Sequence, residues 1–239
     1  MNSAIIGGSG FQGIIDQATQ HIQVETPYGP VNVYKKEYGD NTIYILLRHE
    51  KGHTVPPHLI NYRANIAALK ELEVKQIIGL YGVGSITSMV LPGNLGLIDQ
   101  FIDASYNRVS TFYNELSTPF EHTPMVYPYS RRLRVLIANK AKELNLPLSL
   151  KGTYLCTNGP RLETPAEITM YRRWGADYVG MTAATETILA NEAHIEIAGL
   201  VYSMNWAAGL DAEGISFIEE DISIRATNQL ISLAIETLK

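Results

Sequence analysis

The sequence predicts an α/β sandwich, a central mixed β-sheet flanked by helices, in a single domain over residues 1–239. Three observations carry this. Strand-like apolar runs alternate with helical periodicity through the second half of the chain. There is no low-complexity tract, no fixed-period repeat and no Pro/Gly/Ser linker long enough to separate one domain from another. Hydrophobic residues make up 46% of the 239 and charged residues 18%, which supplies a substantial core without staples.

The elements follow in order. "SAIIG" reads as a short buried strand, then "HIQVET", "YGP" and "VNVYKKEY" as a hairpin, then "TIYILLRH" as a strand. In "NYRANIAALKEL", Tyr62, Ile66 and Leu69 recur at helical spacing. "KQIIGLYGVGS" is expected to be a strand followed by a glycine-rich turn, and "LGLIDQFID" a further strand. "SRRLRVLIANKAKEL" is helical and "LKGTYLCT" a strand. "ETPAEITMYRRWG" is a helix with a marked start: Thr164 at the N-cap, Pro165 at N1 and Glu167 at N3 make a capping box, and Gly175 ends it. "ETILANEAH" is a helix and "IEIAGLVYSMN" a strand. A terminal helix puts Ile222, Ala226, Leu230 and Leu233 on one face.

A net charge of −5 and a pI near 5.7 argue against a broad nucleic-acid-binding surface, while leaving room for one small cationic pocket. Cys156 is the one cysteine, so no internal disulfide can form and a reducing cytoplasm is the natural setting. No secretory leader is expected, because Met1-Asn2-Ser3 carries no positive region and Gly7 interrupts the apolar run. No run of about 18 or more apolar residues exists, so no membrane span is expected.

Two motifs invite other readings. Gly8-x-Gly10-x-x-Gly13 has the spacing of a dinucleotide-binding turn, which needs a helix directly after it and an acid about 20 residues on. The residues that follow alternate and turn instead, with Glu25 alone in favour, so an NAD-dependent oxidoreductase is disfavoured. A glycine-rich turn needing unusual φ explains the spacing, and its free N–H groups could also cradle one phosphate. His49-Glu50-x-x-His53 has the spacing of a zinc protease, which needs both imidazoles on one helix face. A strand runs straight into His49, Gly52 interrupts, and Pro56-Pro57 follow, so no metal site is expected. Arg48 and His49 at a strand end suit an anion instead, since Arg can grip phosphate bidentately.

"GGSGF" (7–11), "RHEKGHTVPPHLINYRANIAALKEL" (48–72) and the stretch from "TNGPRLETPAEITMYRRWGADYVGMT" to "NWAAG" (157–209) together resemble the trimeric purine nucleoside and methylthioadenosine phosphorylases. The resemblance covers nearly the whole chain. It implies the nucleoside phosphorylase fold and attack of inorganic phosphate on C1′ of a purine nucleoside, with phosphate as co-substrate and neither metal nor organic cofactor. It assigns Ser9, Arg48, His49, Gly82 and Thr182 to phosphate. Thr182 also precedes a helix, whose N-terminus favours an anion. Tyr81 departs from the family, which usually carries Thr or Asn there.

Met181 is assigned to the ribose, and Leu162, Glu163 and Asn205 to the substrate, with catalytic roles for Asn205, Glu163 and His49. A carboxylate accepts the N1–H of a 6-oxopurine and repels the N1 lone pair of a 6-aminopurine, so Glu163 with Asn205 implies an oxopurine substrate. Taken singly, Glu163 is explained as a first-turn helix acid and Asn205 as a strand-end turn. The segment after Asn205 lacks the histidine with which relatives meet a 5′-hydroxyl and offers Ile215, Phe217 and Ile218. His122 in "EHTPMVYPY" matches a residue that methylthio-specific relatives lend to a neighbouring subunit. The resemblance therefore implies a homotrimer acting on S-methyl-5′-thioinosine. Inosine or guanosine, methylthioadenosine, and a non-catalytic nucleoside-binding protein are the alternatives.

Overall fold

Ile5, Ile6, Ile43, Ile45, Ile77 and Ile78 are all buried, and the β-branched runs that hold them form the middle of one mixed sheet. A computed structural model describes residues 1–8, 10–113, 119–212 and 214–239. In chain order the elements are β1 (Asn2–Gly7), β2 (Gln20–Val24), β3 (Val31–Tyr38), β4 (Asn41–Leu47), α1 (Tyr62–Glu71), β5 (Gln76–Ser85), β6 (Leu95–Leu97), β7 (Gln100–Asp103) and α2 (Arg131–Glu143). Then come β8 (Leu148–Ser149), β9 (Thr153–Cys156), α3 (Pro165–Arg173), β10 (Tyr178–Gly180), α4 (Ala183–Glu192), β11 (Glu196–Trp206) and α5 (Glu220–Leu238).

The strand order is β2-β3-β4-β1-β5-β10-β9-β7, with β11 pairing β5 and β6, and β6 pairing β8. Helices cover both faces. Ala64, Ile66 and Leu69 of α1 pack with Ala183, Leu189 and Ala190 of α4 in one cluster. Leu133 and Ile137 of α2 pack with Ala226, Leu230 and Leu233 of α5 in another. The expected sandwich is therefore observed. Asn61 and Ser130 cap α1 and α2 through the N–H groups of Ala64 and Leu133.

β5 positions everything that follows. Along one edge its first half pairs in parallel with β1, as far as Gly7 opposite Leu80. Its last residues pair antiparallel with β10, Val179 opposite Gly84 and Tyr178 opposite Ser85. The C-terminal ends of β1 and β10 thus approach each other over Tyr81-Gly82-Val83, where neither strand is bonded to that edge. A crevice at such a reversal is where α/β sheets bind ligands.

Three expected elements differ. The glycines of "GVGS" do not turn: β5 continues to Ser85, because β11 pairs with it as far as Trp206 opposite Ser85. "LGLIDQFID" is two strands, since β6 joins β11 and β8 while β7 joins β9. The helix expected at "ETILANEAH" begins earlier, at Ala183.

Candidate active site

The crevice over β5 opens into a cavity of about 400 Å³. Its lining brings together Arg48, His49, Gly82, Leu162, Glu163, Met181, Thr182 and Asn205, together with Tyr81, Ile215 and Phe217. These residues come from distant segments: the end of β4, the middle of β5, the loop before α3, the end of β10 and the end of β11. His122 lies elsewhere, exposed, with its ring edge-on to Phe120 at 5.3 Å in a second cavity also lined by Phe101 and Met125. Ser9 lies outside the described residues. Ile218 packs with the α2–α5 core rather than lining the cavity.

Neither alternative motif meets its geometry. Residues 12–17 form a short 3-10 helix and then β2 leads into a hairpin, so no α-helix follows Gly10, whose φ is +82°. Glu50 and His53 adopt φ of +60° and +57° in tight turns, so residues 49–53 are not one helix face. His49 and His53 instead lie ring against ring, 4.3 Å apart.

Arg48 is buried and charged. Its Nε and Nη2 grip both carboxylate oxygens of Glu186, with Nη2–Oε2 at 2.8 Å, and its guanidinium lies 4.5 Å from the centre of the Tyr81 ring. Burial opposes the charge, but Glu186, by charge and hydrogen bond, with Tyr81, outweighs it and holds the Arg48 pKa above its ordinary value. Gly8 is a glycine for this reason: a Cβ there would collide with Arg48 Nη1. Glu186, on α4 and wholly buried, is a partner of the site arginine that the sequence motifs do not reveal. Its flanking residues on α4, Ala183 to Thr185 and Thr187 to Ala190, are apolar or small, and a Glu buried among such residues needs an ion-pair partner.

His49 Nδ1 lies 2.8 Å from the Val55 carbonyl, which can only accept. Nδ1 therefore carries the proton, and neutral His49 presents an unprotonated Nε2. Burial first, then the Arg48 charge, push its pKa down to about 4, so the ring is neutral at pH 7.

Thr182 stands at the N-cap of α4 without a side-chain cap bond. Its own N–H donates to Tyr154 Oη at 3.2 Å. Thr182's own N–H is thus occupied, and Thr182 presents its hydroxyl side chain at the start of α4.

Across the cavity the α3 capping box forms, with Glu167 N–H donating to Thr164 at 3.1 Å and Thr164 N–H to Glu167 at 2.7 Å. It fixes the residue just before it, Glu163. Thr157, likewise without a signal in the sequence motifs, donates its hydroxyl to Glu163 Oε1 at 2.8 Å. Burial raises the Glu163 pKa against that bond. Gly159, at φ +59°, leaves room for Met181, whose sulfur a Cβ there would strike. Asn205 follows an irregularity in the β11–β5 register and donates to the Trp206 carbonyl at 2.7 Å, leaving Oδ1 and a second N–H.

Fold and cavity together define a class of protein. The phosphorylase superfamily model matches residues 2–239, and the chain belongs to that family. It is 42% identical over 221 residues to the 6-oxopurine nucleoside phosphorylase of Pyrococcus furiosus, covering 90% of this chain and 83% of that one. It is 41% identical over 223 residues to a probable S-methyl-5′-thioinosine phosphorylase of Xanthomonas campestris, covering 90% and 88%. The crystal structure of the methylthioadenosine phosphorylase from Schistosoma mansoni in apo form superposes with a TM-score of 0.91 at 26% identity, covering all of this chain and 90% of that one.

Proposed function

We propose that this protein is a purine nucleoside phosphorylase acting on 6-oxopurine nucleosides, with S-methyl-5′-thioinosine as its preferred substrate. The observation that carries the reading is the convergence of Arg48, His49 and Thr182 with Glu163 and Asn205 in one cavity of ligand size. Arg48 and the Thr182 hydroxyl suit an anion, His49 Nε2 can accept from a protonated phosphate oxygen, and mere nucleoside binding needs no anion site. Family membership and the names of the relatives support the same activity.

In this reading the C1′–N9 bond breaks ahead of phosphate attack, and the sugar takes on oxocarbenium character. Phosphate, held by Arg48, Thr182 and the backbone at Gly82, with its protonated oxygen donating to His49 Nε2, is both nucleophile and counter-charge. Met181 packs on the ribose. Glu163 accepts N1–H, its Oε1 fixed by Thr157. Asn205 donates towards O6 or N7 as the purine leaves. Neither metal nor organic cofactor is involved in this reading, so dialysis against a chelator should leave the rate unchanged.

The methylthio preference rests on Ile215 and Phe217 in the lining, which suit an apolar 5′ group. Exposed Tyr106, Phe120, Val126 and Tyr127, in the same stretch as His122, support a homotrimer in which His122 reaches a neighbouring subunit's site. Residues 1–239 act as one domain. The one cysteine, free and buried, suits a cytoplasmic setting, and no helix among the described residues is long and apolar enough to cross a membrane.

The test is kcat/KM for methylthioinosine, inosine and methylthioadenosine. A buried site that pairs with N1–H leaves groups unsatisfied against an aminopurine, so methylthioinosine should exceed methylthioadenosine by on the order of a hundredfold. A preference for methylthioadenosine would overturn the base assignment, and a preference for inosine the methylthio assignment.

A further inference from the structure

Tyr81 lines the cavity, yet its hydroxyl is taken up behind the wall and not offered to a ligand. Its hydroxyl points inward and donates to Glu186 Oε2 at 2.8 Å. Its ring lies against the guanidinium that the same carboxylate grips. Tyr81, Glu186 and Arg48 therefore close a buried triangle in which each side chain touches the other two.

The donor count shows what the triangle does. An arginine has five N–H groups. The Nε hydrogen and one Nη2 hydrogen go to Glu186, the other Nη2 hydrogen faces the Ile6 carbonyl at 3.5 Å, and one Nη1 hydrogen goes to the Leu80 carbonyl at 3.2 Å. The remaining Nη1 hydrogen belongs to the nitrogen packed against Gly8, at the cavity wall. The planar fork leaves the guanidinium no freedom to turn, so the carboxylate fixes where that last donor points. The Tyr81 hydroxyl in turn shares the Glu186 charge, which would otherwise be drawn wholly to Arg48.

We propose that Tyr81 and Glu186 are positioning residues for Arg48, and that through it they set the affinity of the cavity for inorganic phosphate. The inference rests on the phosphorylase reading above. It also makes a counter-intuitive demand. By charge alone, deleting the Glu186 carboxylate removes a repulsion and should tighten phosphate binding. If Glu186 acts by aiming Arg48, deleting the charge should weaken it.

The experiment measures KM for phosphate and for methylthioinosine in wild type, Glu186→Gln and Tyr81→Phe, with inorganic phosphate titrated calorimetrically into each. Glu186→Gln should raise the phosphate KM and Kd by about tenfold, and Tyr81→Phe by a few-fold, with the nucleoside KM within about twofold of wild type. A merely structural role would move both KM values together. Tyr81→Phe keeps the ring and the charge pair and so tests the idea even if Glu186→Gln does not fold. Phosphate binding that is unchanged or tighter in a folded variant, beside a phosphate-dependent wild type, overturns this inference alone. A wild type that neither binds nor requires phosphate overturns the phosphorylase reading and this inference with it.

Discussion

At the scale of single residues, the site turns on Arg48 and Glu163: burial opposes the charge of both, and Arg48 has a partner that outweighs it. Arg48 is held by a carboxylate fork, so Arg48→Ala would strand the wholly buried Glu186. Arg48→Lys is the cleaner variant, since it keeps the charge and loses the fork. Its phosphate KM should rise by about tenfold while the protein stays folded, measured by steady-state kinetics beside a thermal melt. Glu163 carries a pKa raised chiefly by burial. A carboxyl with a raised folded-state pKa is more stable protonated, and that stability is lost as pH rises through the folded value. Glu163→Gln should therefore melt higher than wild type at pH 7, with the gap closing as pH falls. At the same time kcat/KM for methylthioinosine should drop by about tenfold or more. A lower melting temperature at pH 7 would contradict the burial argument. Arg48 and His49 are expected from an anion-suited strand end, and Glu163 and Asn205 only through the family resemblance; the fold brings all four to one cavity. Glu186 and Thr157 are not legible in the sequence, because no motif marks them and the contact that matters lies in the folded chain: Glu186 meets Arg48 across 138 positions.

At the scale of elements, the start of α3 and the middle of β5 do most to shape the cavity. The capping box is readable because Thr-Pro-x-Glu is a local pattern with a local cause. Thr164→Ala removes one half of it. The cost should be about 1 kcal/mol, seen as a melting temperature lowered by about 2–4 °C. A loss of kcat/KM should accompany it, because Glu163 is the next residue back; unaltered activity would separate cap from site. The C-terminal half of β5 departs from its local reading for the opposite reason. "GVGS" has turn composition, and its pairing with β11 and β10, contributed by residues about ninety or more positions later, keeps it extended. The division of "LGLIDQFID" into two strands has the same origin, since each half bonds to a different partner. Non-local pairing overrides local propensity in strands more readily than in helices.

For the whole molecule, the sandwich is legible from alternation alone, but the strand order that makes the crevice is not. Nothing local in the sequence places β10 beside β5 or aims its end at that of β1. The assembly prediction belongs here too. His122 lies away from the main cavity, in a stretch with Phe120, Val126 and Tyr127 exposed, the surface that the proposed trimer would cover. Light scattering should give three times the chain mass of 26.5 kDa, and His122→Ala should impair the nucleoside KM without changing that mass. A monomer with full activity at dilution would contradict both.

Phosphorolysis of a 6-oxopurine nucleoside underlies all of these expectations. It is tested by the initial rate of hypoxanthine release from S-methyl-5′-thioinosine by the wild-type protein as inorganic phosphate is raised from zero. Phosphorolysis requires negligible release without phosphate, saturation with it, and one 5-methylthioribose 1-phosphate formed per hypoxanthine. Release at the same rate without phosphate, yielding free methylthioribose, would contradict it, as would nucleoside binding with no release at any phosphate concentration.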